Sequence, residues 1–143
     1  MKKFDGKNFL VTGGAGFVGS SLAHDLIQAG ARVTIVDNLS NGKKSNLPVQ
    51  AAFLHEDLAE KGWRETLKGQ VFDAIFHLGA QASNAVSFRD PILDSHSNLL
   101  GTVQTLEFAR ESGCKRFIFA SSMSAYGDPE HFPTTEQEPL RPK

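Results

Sequence analysis

The chain has 143 residues, 40% of them hydrophobic and 22% charged, the make-up of one globular domain with material for a core. A formal net charge of -1 gives no electrostatic basis for binding nucleic acid or an anionic membrane surface. The single cysteine, Cys114, cannot close an internal disulfide, no Cys/His spacing suggests a metal, and no apolar stretch nears the ~18 residues of a membrane span.

The start, MKKFDGKNFLVTGG, loosely imitates a signal peptide, but Asp5 and Lys7 interrupt it and the apolar part is short. The chain therefore reads as cytoplasmic. Asn8 to Thr12 is an apolar run of strand type. Gly16 to Ala29 reads as a helix with Val18, Leu22, Leu26 and Ala29 on one face, and Gly30 ends it. Arg32 to Val36 is β-branched and reads as a strand. Asp37 to Pro48 is polar and turn-rich, and Ala51 to Leu54 is a third strand. A short helix follows over Trp63 to Leu67, then a strand over Asp73 to Leu78. Asp90 and Pro91 suit an N-cap and first helical position. Beyond them Ile92, Leu93, His96, Leu99, Leu100, Val103, Leu106 and Ala109 recur at helical spacing until Gly113. Arg116 to Ala120 is the last strand. From Gly127 onward the sequence is proline-rich and without period.

Strands alternating with helices predict βαβ units, and strands that are apolar without alternation predict a sheet buried on both faces. The fold class expected is α/β, a Rossmann-type doubly wound parallel sheet of about five strands, with residues 1–143 forming one dinucleotide-binding domain.

In LVTGGAGFVGSSL, Gly13, Gly16 and Gly19 stand three apart between a strand and a helix. Glycines there allow a tight turn, the approach of a pyrophosphate, and close packing of helix on strand. The helix start offers unpaired N–H groups and a partial positive charge. Asp37, at the end of the second strand and about 20 residues on, is placed to accept hydrogen bonds from an adenosine ribose. Its carboxylate would repel a 2′-phosphate, which predicts NAD as the cofactor. Lys43 and Lys44 keep NADP as a second option.

TGGAGFVGS, DNLSNG, HEDL, HLGAQAS, NLLGT and FASSMSAYGD, in this order, resemble the NAD-dependent epimerase/dehydratase group of the extended short-chain dehydrogenase/reductase family. The resemblance implies that Phe17 and Val18 lie over the pyrophosphate. It implies that Asp37, Asn38, Leu39, Ser40, Asn41 and Gly42 hold the adenosine half, and that Asp57 and Leu58 flank the adenine. Leu78, Gly79, Ala80, Gln81, Asn98 and Ser121 would line the rest of the cofactor. Asp57 is equally readable as a helix N-cap, and Asn98 as an interior amide bonded to backbone. Ser122 matches the family's catalytic Ser/Thr, and Ser124 would touch the sugar or its phosphates. Each serine is also readable as a loop hydroxyl capping backbone.

The same resemblance implies a nucleotide sugar as substrate, a UDP-sugar first, and transient hydride transfer to NAD. Epimerase, dehydratase and decarboxylase outcomes stay open, as does a non-catalytic NAD-binding module. The family's acid/base is a tyrosine in Tyr-x-x-x-Lys. Here the one tyrosine, Tyr126, has Glu130 at the lysine's position. The expectation is therefore an N-terminal portion of a longer enzyme, lacking the Tyr/Lys helix and substrate part, that binds NAD without turnover. An open last strand and a bundle-forming long helix would favour a homodimer or larger association.

Overall fold

The computed structural model describes residues 2–142, so Met1 and Lys143 of the expected domain lie outside it. The strands are β1 (Asn8–Thr12), β2 (Arg32–Asp37), β3 (Ala52–His55), β4 (Ala74–His77) and β5 (Phe117–Phe119). They form one sheet in the order β3-β2-β1-β4-β5, with every pairing parallel. The doubly wound α/β expectation holds. The ends of two strands move inward: the strand expected over Asp73 to Leu78 spans Ala74–His77, and that over Arg116 to Ala120 spans Phe117–Phe119.

The apolar strands feed two cores by simple alternation. In β1, Phe9 and Val11 point to one face and Leu10 to the other. The first face adds Val33, Ile35, Ala74 and, from helix α1 (Phe17–Gln28), Ala23 and Leu26. The second face adds Val36 and Ile75 with Trp63 of α2 (Gly62–Thr66) and Phe108 of α5 (Gly101–Glu111). Trp63 is fully buried, its ring centroid 5.1 Å from that of Phe108, and its Nε1–H donates to the Leu58 carbonyl at 3.2 Å. Arg64 of α2 reaches across to α5, donating to Gln104 Oε1 and to Glu111 Oε2.

Helix α1 ends as its sequence predicts. Gly30 takes φ +96°, its N–H donates to the Ile27 carbonyl, and the Ala31 N–H donates to the Leu26 carbonyl. That pair of bonds is a Schellman closure, which needs a residue free to adopt positive φ. The face of α1 differs from expectation. Its buried residues are Gly19, Ser20, Ala23 and Leu26, while Val18 is 60% exposed. The helix start lies so close to the turn after β1 that a Cβ on Gly19 would run into the Gly13 carbonyl, so small residues take the inner face.

Two short helices stand between β4 and α5. The first, α3 (Asn84–Arg89), was not expected from the sequence. The second, α4 (Pro91–Ser95), begins as expected: Asp90 caps it by accepting from the Leu93 N–H at 2.9 Å, with Pro91 at its first position. His96–Leu100 form a π-type turn that joins α4 to α5 without a break in helical backbone angles. Apart from Ala109, the expected apolar row does not turn inward. Gly101, Gln104, Thr105, Phe108 and Ala109 are buried, whereas Ile92, Leu93, Leu99, Leu100, Val103 and Leu106 are exposed. The extra residue in the π turn shifts the phase of the helix, and the sheet takes the narrower, partly polar face.

Replacing Trp63 by alanine removes the largest fully buried side chain of the second core and should cost about 3–5 kcal/mol. Urea unfolding of the variant against the parent measures this, and a loss below about 1 kcal/mol would show that the core does not rest on this ring.

Candidate functional site

Strand order places β1 between β2 and β4, and the chain leaves β1 and β4 toward opposite faces of the sheet. In a doubly wound sheet this reversal opens a crevice outside the carboxyl ends of the strands. Gly13 ends β1 with φ +69°, and a Cβ there would lie 2.6 Å from the Gly79 nitrogen. Both backbones must be bare for the two strand ends to come together. Gly16 precedes α1 with no side chain capping the helix start, and no acidic residue occupies the first turn. The first N–H groups of α1, those of Phe17, Val18 and Gly19, have no carbonyl of their own helix to meet. Phe17 is 88% exposed, so its side chain covers none of them from inside. An anion is the chemistry that fits such an end.

Asp37 is buried at the end of β2, and both its oxygens are engaged. Oδ2 accepts from the Ala15 N–H at 2.9 Å and Oδ1 from the Leu39 N–H at 2.8 Å. A carboxylate has about four acceptor positions, so two remain for a ligand's hydroxyls. The bond to Ala15 also ties β2 to the glycine turn. The Leu39 backbone takes φ +58°, the left-handed region, and Leu39 itself stays out of the cleft. The loop then folds under the turn: Lys43 N–H and Asn46 Nδ2 both donate to the Ala15 carbonyl, and a Cβ on Gly42 would stand 2.7 Å from that of Ala15. Asn38 donates from Nδ2 to Asp57 Oδ2 at 2.8 Å. Asp57 Oδ1 accepts from the Ala59 N–H, a local turn rather than the cap of α2, whose N-cap is Lys61.

The result is a cavity of ≈ 320 Å³ lined by Gly13, Gly16, Asp37, Asn38, Ser40, Asn41, Gly42, Asp57, Leu58 and residues 78 to 81. A second cavity, of ≈ 500 Å³, shares the wall of Leu78, Gly79, Ala80 and Gln81 and is lined further by His77, Asn98, Ser121 and Ser122. Each is of a size that suits part of an extended small-molecule ligand. Phe17, Val18, Gly19 and Leu39 lie outside both linings, Gly19 as a packing residue under the turn.

Asn98 clamps the shared wall. Its Oδ1 accepts from the Gln81 N–H at 2.8 Å, and its Nδ2 donates to the Gln81 carbonyl at 2.9 Å and to Asp94 at 3.1 Å. The reading of Asn98 as an amide bonded to backbone thus describes its contacts, and it lines the second cavity as well. Ser122 caps the short turn Met123–Tyr126, its Oγ accepting from the Ser124 N–H at 3.2 Å, and its hydroxyl hydrogen is left to donate. Ser124 is exposed and lies in neither lining.

Sequence reasoning missed His77, which it placed only within a strand. His77 is buried between Thr12 and Thr102, with Nδ1 2.9 Å from Thr12 Oγ1 and Nε2 3.0 Å from Thr102 Oγ1. Burial pushes its pKa down to about 4. The available signal was register: NFLVT and AIFH each end in a polar residue just before a bare turn, and parallel pairing sets Thr12 opposite His77. Val86, Arg89, Leu93 and Ser97, on the unexpected α3 and the helix after it, also line the first cavity. Among the described residues, no group of three His, Cys, Asp or Glu side chains is disposed to hold a metal, and no helix is long and apolar enough to cross a membrane.

A model of the NAD dependent epimerase/dehydratase family matches residues 9–143. A UDP-glucose 4-epimerase from Streptomyces lividans is 37% identical over 136 residues, which are 94% of this chain and 41% of that protein. A crystal structure of UDP-glucose 4-epimerase with UDP-glucose from Thermotoga maritima superposes with TM-score 0.87 at 41% identity, over 95% of this chain and 45% of that one. A Thermus thermophilus UDP-glucose 4-epimerase in complex with NAD gives TM-score 0.85 at 41% identity, with the same coverage. The chain spans less than half the length of each of these relatives.

The lowered pKa of His77 carries a sign for stability. Folding holds the ring neutral, so its contribution is complete above the unfolded pKa near 6.5 and is lost as pH falls toward 4. The loss should reach about 3 kcal/mol. Urea unfolding at a series of pH values between 7 and 4 reads it, and a flat stability over that range would rule it out.

Proposed function

We propose a function from one premise: the chain belongs to the NAD-dependent epimerase/dehydratase family. In this reading residues 1–143 are the NAD-binding portion of a UDP-glucose 4-epimerase-like enzyme. The amides at the start of α1 take the pyrophosphate, and Asp37 takes the adenosine ribose. Asn38, Ser40, Asn41, Gly42, Asp57 and Leu58 surround the adenosine half. The wall of Leu78, Gly79, Ala80 and Gln81, with Asn98 and Ser121 in the second cavity, would hold the nicotinamide half. The observation that carries the reading is the pair of cavities sharing that wall, beginning at an uncapped helix start where the sheet reverses direction.

NAD supplies a hydride acceptor. The enzyme would oxidise a sugar hydroxyl to a ketone, then return the hydride to the opposite face. Ser122, with its hydroxyl hydrogen free to donate, would bond the reacting sugar oxygen and share in moving its proton. The family's tyrosine–lysine pair has no match in these 143 residues, because Tyr126 is followed by Glu130 at the lysine position. The substrate proposed is a UDP-sugar, and this stretch alone binds cofactor without turning it over.

The test of the cofactor is unfolding with NAD and with NADP. At a NAD concentration about 100 times its dissociation constant, the folded state should gain about 2.7 kcal/mol. NADP at the same concentration should give much less, because its 2′-phosphate would face the buried Asp37 carboxylate. Equal effects of the two would overturn the ribose role of Asp37, and no effect of either would overturn the cofactor reading.

A second expectation concerns association with another copy. The outer edge of β5 has no strand beside it among the described residues, Ile118 and Phe119 are exposed, and so is the row Leu99, Leu100, Val103 and Leu106. Open edges and contiguous apolar patches favour pairing. Light scattering at tens of micromolar should return more than the mass of one chain, and a clean monomer would refute this.

A further inference from the structure

The wall of residues 78 to 81 is held at both ends by side chains that His77 connects. At the near end, Thr12 Oγ1 accepts from the Leu78 N–H at 3.2 Å, a proton shared with the Thr12 carbonyl, and from the Gly79 N–H at 3.1 Å. A hydroxyl has two lone pairs and one hydrogen. With two amides pointing at the oxygen, its hydrogen goes to the remaining neighbour, His77 Nδ1. That nitrogen is then an acceptor, and a neutral imidazole carries its hydrogen on Nε2. Nε2–H donates to Thr102 Oγ1, and Thr102 passes its own hydrogen to the Asn98 carbonyl at 2.6 Å. Asn98 in turn holds the far end of the wall through both backbone groups of Gln81.

We propose that His77 is a positioning residue, locked as the Nε2–H tautomer, that joins the end of β1 to the π turn carrying Asn98 and so sets the wall between the two cavities. The direction of every hydrogen bond from Gly79 to Asn98 follows from this one tautomer. The opposite tautomer would put two hydrogens between His77 and Thr12, or force one wall amide off the hydroxyl. It would also leave Nε2 as an acceptor facing Thr102, whose hydrogen is already given to the Asn98 carbonyl. Phe117 and Phe119 of β5 pack beside the ring with centroids 5.6 and 5.8 Å away, Phe119 nearly parallel to it. The network is closed on the protein side, which is the condition under which a buried polar group specifies one arrangement.

The link from this wall to cofactor affinity rests on the NAD reading, but the wall itself can be tested without ligand. Long-range proton–nitrogen spectra of the nitrogen-15-labelled chain at neutral pH should show one imidazole, absent from His77→Gln, as a fixed Nε2–H tautomer. A His77 ring that is Nδ1–H, or averaged between forms, overturns the proposal. Amide exchange gives the second readout. In Thr102→Val, which keeps Thr12 intact, the Gln81 amide should exchange about tenfold faster, the worth of one hydrogen bond, while Gly79 stays protected. In His77→Asn, whose carboxamide can still accept from Thr12, Gly79 should keep its protection, and in His77→Phe both amides should lose it. Unchanged Gln81 exchange in Thr102→Val, or unchanged exchange at both amides in a folded His77→Phe, overturns the proposal. If His77→Phe fails to fold, the tautomer and Thr102→Val decide. NAD should bind His77→Phe about tenfold more weakly than the parent, with recovery in His77→Asn. A parent that fails to bind NAD strikes the cofactor reading and leaves the tautomer result standing.

Discussion

The molecule turns on the meeting of two bare backbones. Gly13 at the end of β1 and Gly79 just past β4 approach so closely that a single Cβ on Gly13 would sit against the Gly79 nitrogen. Because β1 and β4 are neighbours whose following segments leave on opposite faces, that contact forms the floor of the crevice. The glycine turn, the start of α1 and the wall of residues 78 to 81 all take their places from it. Gly19 extends the same requirement, since it lets α1 lie against the turn.

Around that floor, buried polar groups do what apolar packing cannot. Asp37 and Thr12 sit at the ends of adjacent strands, both buried, and both spend their oxygens on backbone N–H groups of the turns beside them. A buried carboxylate or hydroxyl without partners would be costly, so their bonds are demanded as much as chosen. The same bonds leave directed capacity over: two acceptor positions on Asp37, and a hydrogen on Ser122. Asp37, which stabilises the fold at the carboxyl end of the sheet, is therefore also a group that would meet a ligand.

The outer side of the long helix shows the opposite situation. Its apolar row faces away from the sheet, while the inward face carries Gly101, Gln104 and Thr105 beside Phe108 and Ala109. Polar residues can take that face because they are satisfied there: Thr105 donates to the Gly101 carbonyl, and Gln104 accepts from Arg64. Counting apolar residues at helical spacing finds a helix, but it cannot say which neighbour the stripe is for.

Local chemistry determined much of this protein from sequence. The apolar runs, Gly30 and the Asp90–Pro91 pair marked strands, a helix end and a helix start, because each acts through its own residue or its nearest neighbours. The glycine spacing and Asp37 marked the cleft, since a turn between strand and helix needs those residue types wherever it occurs. The tertiary structure alone decided which face of α1 and of the long helix turns inward, and what His77 touches. Those outcomes depend on partners far away in sequence: Thr12 is 65 residues from His77, and Thr102 is 25 from it. A hydrogen bond between distant residues leaves no periodicity or spacing to read. It comes into being only when parallel pairing sets two strand ends side by side.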